Sequence, residues 1–442
     1  MIGTEQMELE DMTQQILDEA KHQGATAAEA GSSIENGYST SVRMGEVETI
    51  EHHKDRGMVV TVYFGNRKGT ASTSDFSVDA VRAAVRAACD IARHTQEDEY
   101  AGLADPARLA TELPDLELEH GWDVGVEESI DVARACESAA LESDDRIKNS
   151  EGGAVSSHHS IRVYGNSNGF LAGYGGTRHG ISCSVVATDQ SGMQRDYWSS
   201  SARDPRQLES AEEVGKKSAK RAVDRLGGMK VATGEAPVLF AAPVAGSLLG
   251  HLLSAIRGGN IYRKASFLLD RLGERIFPDF ITIYERPHLH GGSASSAFDS
   301  EGVKTEENSF VTDGVLSSYV LDSYAARRLG METTGNGGGV RNLRVTHGDV
   351  GLDGMLSKMD RGLLVTEMMG HGVNAITGDY SRGASGFWVE GGKIVHPVDE
   401  ITIAGNLRNM FSQIVAVGDD VDPRGNIQTG SILLENMSIA GE

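Results

Sequence analysis

The chain is short of cysteine, proline, positive charge and long apolar runs, and each shortage argues against something. Three cysteines, Cys89, Cys136 and Cys183, stand far apart with no Cys-x-x-Cys spacing. An odd, scattered set does not suit the disulfide frame of a small secreted scaffold and fits a reducing compartment. None follows residue 183, so the second half has no thiolate to offer a metal. No stretch approaches the roughly 18 consecutive apolar residues of a membrane span. The opening "MIGTEQMELEDMTQQ" is acidic and polar. It lacks the basic start and apolar block of a secretory signal, so export is not expected. Lys and Arg number 41 against 64 Asp and Glu, a net charge of −23. The short basic clusters are "GKKSAKRAVDR" and "YRKAS". Without a basic face, nucleic acid and anionic membranes are not expected partners, and the acidity reads as solubility. Nine prolines against 54 glycines suit tight turns between strands rather than a disordered linker.

What is present divides into three parts. A chain of 442 residues has room for two or three domains with real cores. Over residues 7–23, Leu9, Met12, Ile16 and Ala20 recur at helical spacing, and Gly24 can close the end. Residues 27–73 turn to β-branched runs broken by Gly and Asn, and 77–94 return to a helix with Val78, Val81, Val85 and Ala88 on one face. This predicts an N-terminal α+β domain over 1–95. Residues 96–126 are acidic, proline-bearing and aperiodic, and read as a connector between separable units. A helix at 127–142, strands over 147–200 and a charged amphipathic helix at 208–226 make a central α+β domain, 127–232. The C-terminal part, 233–442, opens strand then helix and continues as strands without intervening helices. That order predicts a largely antiparallel sandwich or barrel. The two N-terminal units echo each other in "VYFGNRKG" (62–69) and "VYGNSNG" (163–169), where Gly and Asn suit hairpin tips.

Several stretches invite a chemical reading. "TTGNGGGVRN" (333–342) fails as a phosphate loop, because no Lys-Ser/Thr follows and a strand-like segment replaces the helix. In "YERPHLHGG", Glu285, His288 and His290 are metal-ligand types, but a zinc ion needs a third ligand that nothing nearby identifies once the stretch reads as a loop. "GDYSRGASGFW" gathers Asp379, Tyr380, Ser381 and Arg382 in a turn before a strand. Two readings stand: a tight turn, or a recognition loop with one anion and one cation. In the latter, the glycines leave room for a peptide backbone to pair with a strand edge. The helix at 243–257 is apolar over more than half its circumference, hence buried. Its His251 alone reads as a hydrogen-bonded core residue or as one ligand without companions.

The stretches "GSLLGHLLSAIRGGNIYRKASFLLD", "FDSEGV", "GHGVNAITGDYSRGASGFWVE" and "EITIAGNLRNM" resemble the PmbA branch, also called TldE, of the TldD/PmbA family. "VRMGEVE", "GNRKGTAST" and "NSEGG" extend the likeness over nearly the whole chain. The resemblance implies two N-terminal α+β parts and a β-rich C-terminal domain in a bacterial cytoplasmic protein. It also implies that the TldD branch carries a His-Glu-x-x-x-His helix and a C-terminal cysteine that together hold zinc. A chain of that branch pairs with a PmbA-branch chain to cleave small or unfolded peptides. Here the motif positions hold Gly250, His251 and Ala255, and the cysteine has no counterpart. The expectation is a subunit with no zinc of its own, with the zinc in a TldD-like partner and peptides as substrates. A homodimer is left open when the partner is absent. The alternatives are a stand-alone peptidase using His251, His288 and His290, or a non-enzymatic regulatory peptide-binding protein.

Overall fold

In the computed structural model, residues 2–441 are described. The first half runs α1 (Ile2–His22), β1 (Ala27–Arg43), β2 (Glu46–Phe64), β3 (Arg67–Thr73), α2 (Val78–His94), α3 (Val126–Leu141), β4 (Ile147–Asn166), β5 (Leu171–Asp189), β6 (Gly192–Ala202) and α4 (Ala211–Asp224). Helix starts follow local chemistry. Ser77 accepts from the Ala80 N–H to cap α2, and Ser210 with Glu213 form a reciprocal capping box on α4. Each of these helices buries its apolar stripe: Val81, Val85, Ala88 and Ala92 from α2, Val214, Ala219 and Ala222 from α4.

All six strands form one antiparallel sheet, in the order β3-β2-β1-β4-β5-β6. The two expected α+β units are therefore continuous, joined where β1 pairs with β4 from Glu29↔Asn166 to Val42↔Gly153. The helices lie on one face. Alternation puts Ala28, Ala30 and Ser32 under α1 and α2, with the Ser32 hydroxyl 2.9 Å from that of Thr13. Gly153 lets α3 lie close on the sheet, since a Cβ there would stand 2.3 Å from the Ala133 carbonyl oxygen. The opposite face turns toward the C-terminal part.

That part comprises β7 (Gly234–Phe240), α5 (Ala242–Ile256), α6 (Gly258–Tyr262), β8 (Ile283–Glu285), β9 (Ser309–Thr312), β10 (Val315–Leu316), α7 (Ser323–Leu329), β11 (Leu343–Val345), α8 (Leu352–Met359), β12 (Gly362–Met369), β13 (Asp379–Glu390), β14 (Lys393–Asn406), α9 (Leu407–Ser412), β15 (Ile414–Val417), β16 (Ile427–Gln428) and β17 (Ile432–Ala440). The order β14-β13-β12-β7-β17-β15, with β14 also pairing to β17, closes a five-stranded barrel carrying β15 on its side. β7 and β12 run parallel; the barrel's other pairings are antiparallel, as expected. A second, five-stranded sheet, β10-β9-β8-β11-β16, lies beside it. Between them sits the largest core, with Phe240, Phe267, Phe277, Phe310 and Phe411 fully buried.

The segment 96–126 departs from the expected loose joint. It forms no strand, but Leu109, Leu116 and Leu118 are buried. The Arg327 guanidinium donates to the carbonyls of Tyr100, Gly102 and Leu103 at 2.7–3.0 Å. Backbone bonds tie Ala110 to Gly302, Gly291 to Leu116 and Thr177 to Leu118. Leu109, Leu116 and Leu118 turn into the seam between the sheet and the barrel, while Leu113 and most of the charges face solvent. A period search cannot detect that arrangement, because a strap has no period.

Candidate functional site

The helix α5 begins after Ala241 with Pro243 in its first turn, where a missing N–H costs nothing. Leu248, Leu249, Leu252, Ala255 and Ile256 are buried in the barrel-side core. Of the three motif positions, Gly250 faces Ile427 of β16 and Ala255 is fully buried. His251 keeps partial exposure, yet its Nε2 is buried without a hydrogen-bond partner. Its ring meets the Tyr380 ring edge-on, with centroids 5.8 Å apart. The Tyr380 hydroxyl is also buried and unpartnered.

The structure thus brings two predicted stretches together. Arg382 follows Tyr380 by two residues on β13, and its charge acts on both groups. Burial first, and then Arg382, pushes the His251 pKa down, favouring neutral imidazole. Burial raises the Tyr380 pKa to about 12, with Arg382 opposing. No hydrogen bond of ordinary geometry joins Arg382 to that hydroxyl. Its Nε donates instead to the Gly370 carbonyl at 3.0 Å. Asp379 does not pair with Arg382. It accepts from Thr377 and Asn406, which lower its pKa. Ser381 is exposed.

The strand-edge reading of this stretch is corrected. β13 pairs with β14 from Asp379↔Asn406 to Glu390↔Lys393. Its other side is taken by β12 over Gly383–Val389. Beyond β12, the Ser381 N–H bonds to Gly372 and Tyr380 bridges to Val373. Both edges are occupied by the chain itself, so a peptide backbone has none to join. The glycines serve the barrel: a Cβ on Gly386 would lie 1.8 Å from the Leu364 carbonyl oxygen. Residue pattern alone could not reveal this, because it does not say that the flanking strands β12 and β14 fold back to pair on both sides of β13.

The remaining candidates do not converge. His288 Nε2 pairs with Thr305 Oγ1 at 3.0 Å, and exposed His290 lies 3.3 Å from Glu117. Glu285 is buried on β8. It accepts from Asn308, Asn336 and the Arg341 N–H, and burial outweighs these to raise its pKa. The glycine-rich stretch 333–342 is the inverse of a phosphate loop. Its carbonyls at Gly335, Gly337 and Gly339 accept from the buried Arg341 guanidinium. Among the described residues, no three His, Cys, Asp or Glu side chains converge so as to hold a metal ion. No helix there is long and apolar enough to cross a membrane.

Sequence reasoning missed a cluster where "FDSEGV" meets the sheet. The Asp299 carboxylate accepts from the N–H groups of Glu301, Val303 and Gly337. Glu301 accepts from the Ser323 N–H; burial first, and then Asp299, raises its pKa to about 7. Glu29 accepts from the hydroxyls of Tyr63 and Tyr164. The signal was a run of two acids beside an aromatic, which gives no hint of burial by itself.

The fold defines an α+β chain with a helix-backed sheet set on a small barrel and a helix laid against that barrel, and comparison makes the class specific. Models of the PmbA/TldA metallopeptidase domain 1, central domain and C-terminal domain match residues 28–92, 119–226 and 233–441. The chain is 50% identical over 415 residues to "Metalloprotease PmbA" of Escherichia coli O157:H7, covering 94% of this chain and 92% of that one. It is 45% identical over 442 residues to "Metalloprotease PmbA homolog" of Haemophilus influenzae, covering 100% and 98%. A Bacteroides thetaiotaomicron crystal structure, solved as a candidate modulator of DNA gyrase, superposes with a TM-score of 0.93 at 29% identity over 98% of both chains. The chain belongs to the TldD/PmbA family, in its PmbA branch.

Proposed function

We propose that this chain is the subunit without zinc in a cytoplasmic two-chain metallopeptidase that degrades small or unfolded peptides. A TldD-like chain holds the zinc, and this chain completes the enclosure around the peptide. The observation that carries the reading is the donor set on α5. A catalytic zinc takes three protein ligands. Gly250 has no side chain to offer, Ala255 presents a methyl group to the core, and among the described residues His251 belongs to no cluster of three His, Cys, Asp or Glu side chains. The stand-alone alternative through His251, His288 and His290 finds little support, since His288 and His290 are engaged elsewhere. The candidate peptide contacts on β13 are side chains alone: Asp379, Ser381 and Arg382 at the surface and Tyr380 beneath.

Coexpression with a TldD-like chain from the same cell, followed by a peptidase assay and elemental analysis, tests the reading. Turnover is expected only from the pair, with zinc well below one per chain in this subunit alone. One tightly held zinc in the isolated chain, lost in His251→Ala, would overturn it. A stable pair without turnover would favour the regulatory peptide-binding alternative.

A further inference from the structure

The sheet face opposite the helices is covered by the barrel part, but not completely. A cavity of about 890 Å³ lies between them, at the upper end of the range for ligand pockets. Its floor is two neighbouring register rows. One runs Ser72, Val59, Gly31, Tyr164 across β3, β2, β1 and β4; the other runs Gly57, Ser33, Arg162, Tyr174 across β2, β1, β4 and β5. Four strand spacings make the floor roughly 19 Å wide, the length of about five extended residues. The floor's centre is low because Gly31, Ser33 and Gly57 stand there. The roof is Phe298–Ser300 with Gly337, Gly338 and Arg341.

The charges in the roof are spent. Asp299 is held by three backbone N–H groups. Arg341 is held by Ser296 and three carbonyls. Arg162 is different: it lines the cavity, is exposed, and has no hydrogen bond or ion pair with any described residue. An unpaired guanidinium in a chain of charge −23 is a cation left for something outside the chain. The hydroxyls of Ser33, Ser72, Ser74, Ser300 and Tyr174, which also line the cavity, likewise have no hydrogen-bond partner among the described residues. The Tyr174 ring, on the strand position paired with Arg162, packs edge-on to Phe298, giving an apolar patch beside the cation, and Val59 leaves 43% of its surface open farther along the floor.

We infer that this cavity binds the carboxy-terminal end of a short extended peptide, with the free carboxylate on Arg162 and an apolar last side chain over Tyr174 and Phe298. The choice of ligand class rests on the peptide-handling role proposed above; the site rests on the geometry. A guanidinium meets a carboxylate with two parallel, charge-assisted hydrogen bonds, and the width suits a peptide rather than a single amino acid.

The test is direct binding to the full chain alone, by calorimetry, of N-acetyl-Ala-Ala-Ala-Phe as the free acid and as the carboxamide. The acid should bind at least tenfold more tightly, and Arg162→Ala should remove that preference. Gly57→Leu should abolish binding of both, because a side chain there enters open space with no atom within 4 Å of its Cβ, so the fold is retained. Equal affinity for acid and amide, no binding of either, or an unchanged preference in Arg162→Ala would overturn the inference. Phenylacetate binding as tightly as the peptide acid would overturn the peptide class. Acid-selective, Arg162-dependent binding in a chain whose pair shows no turnover would sink the subunit reading and leave this site standing. Turnover without such binding would sink the site alone.

Discussion

Tyr380 and His251 each carry a buried polar atom with no hydrogen-bond partner among the described residues, and their rings meet edge-on. An unsatisfied buried hydroxyl costs about 1–3 kcal/mol. Tyr380→Phe keeps the ring that packs on His251 and deletes the orphan oxygen. Thermal unfolding of that variant is expected at or above the wild-type midpoint. A marked drop would mean that the hydroxyl has a bound partner in solution. Glu301 makes a second prediction, with a sign set by linkage. Its pKa rises from 4.5 to about 7 on folding, so the folded state binds the proton more tightly. Its contribution is fully present below the unfolded pKa and is lost as pH rises through 7, by up to about 3 kcal/mol. Glu301→Gln keeps an acceptor for the Ser323 N–H and removes the titration. Melting at pH 5 and pH 8 should show the wild type losing more stability than the variant across that window.

At the scale of elements, β13 shows how a recognition-like sequence becomes scaffold. Its glycines look like room for a visiting backbone, but that room is filled by β12. The Gly386 position faces the Leu364 carbonyl at a β-bulge where the register slips between Ala384 and Gly386. Any side chain must push the two strands apart, and overpacking of this kind costs about 1–3 kcal/mol or more. Gly386→Ala should lower the unfolding free energy by that amount, read as a lower urea midpoint at an unchanged slope. A neutral result would show that the bulge can relax. The same element keeps Arg382 near His251: β13 is paired on both sides and meets α5 through the Tyr380 and His251 rings, whereas a free loop would let the cation swing into solvent.

For the whole molecule, the consequence of one shared sheet is that the N-terminal unit is not autonomous. β1 lies between β2 and β4, so a fragment of residues 1–95 would expose the long inner edge of β1. Unpaired edges of this length template association. That fragment should be aggregated or unfolded by light scattering and circular dichroism, while a fragment of 1–226 should be folded. A monomeric, folded 1–95 fragment would contradict the continuity of the sheet. The strap at 96–126 belongs to the same scale, because it contacts both the sheet and the barrel part and can pack only when both are present.

Much of the molecule was legible in the order of residues. The helices read at 7–23, 77–94, 127–142, 208–226 and 243–257 stand at 2–22, 78–94, 126–141, 211–224 and 242–256, because 3.6-residue periodicity acts over a few residues and needs no distant partner. The β-rich character of the C-terminal part is equally local, as is the fact that Gly250 and Ala255 offer no side chain that could bind a metal. The tertiary structure alone decided which strands are neighbours, because hydrogen bonds between strands join residues far apart in the chain. It merged two expected units into one sheet and closed both edges of β13. It set Tyr380 and Arg382 beside His251, buried Glu301 to a pKa near 7, and left Arg162 without a partner over an open floor. Burial and pairing are properties of position in space, and no period or motif in the sequence encodes them one residue at a time.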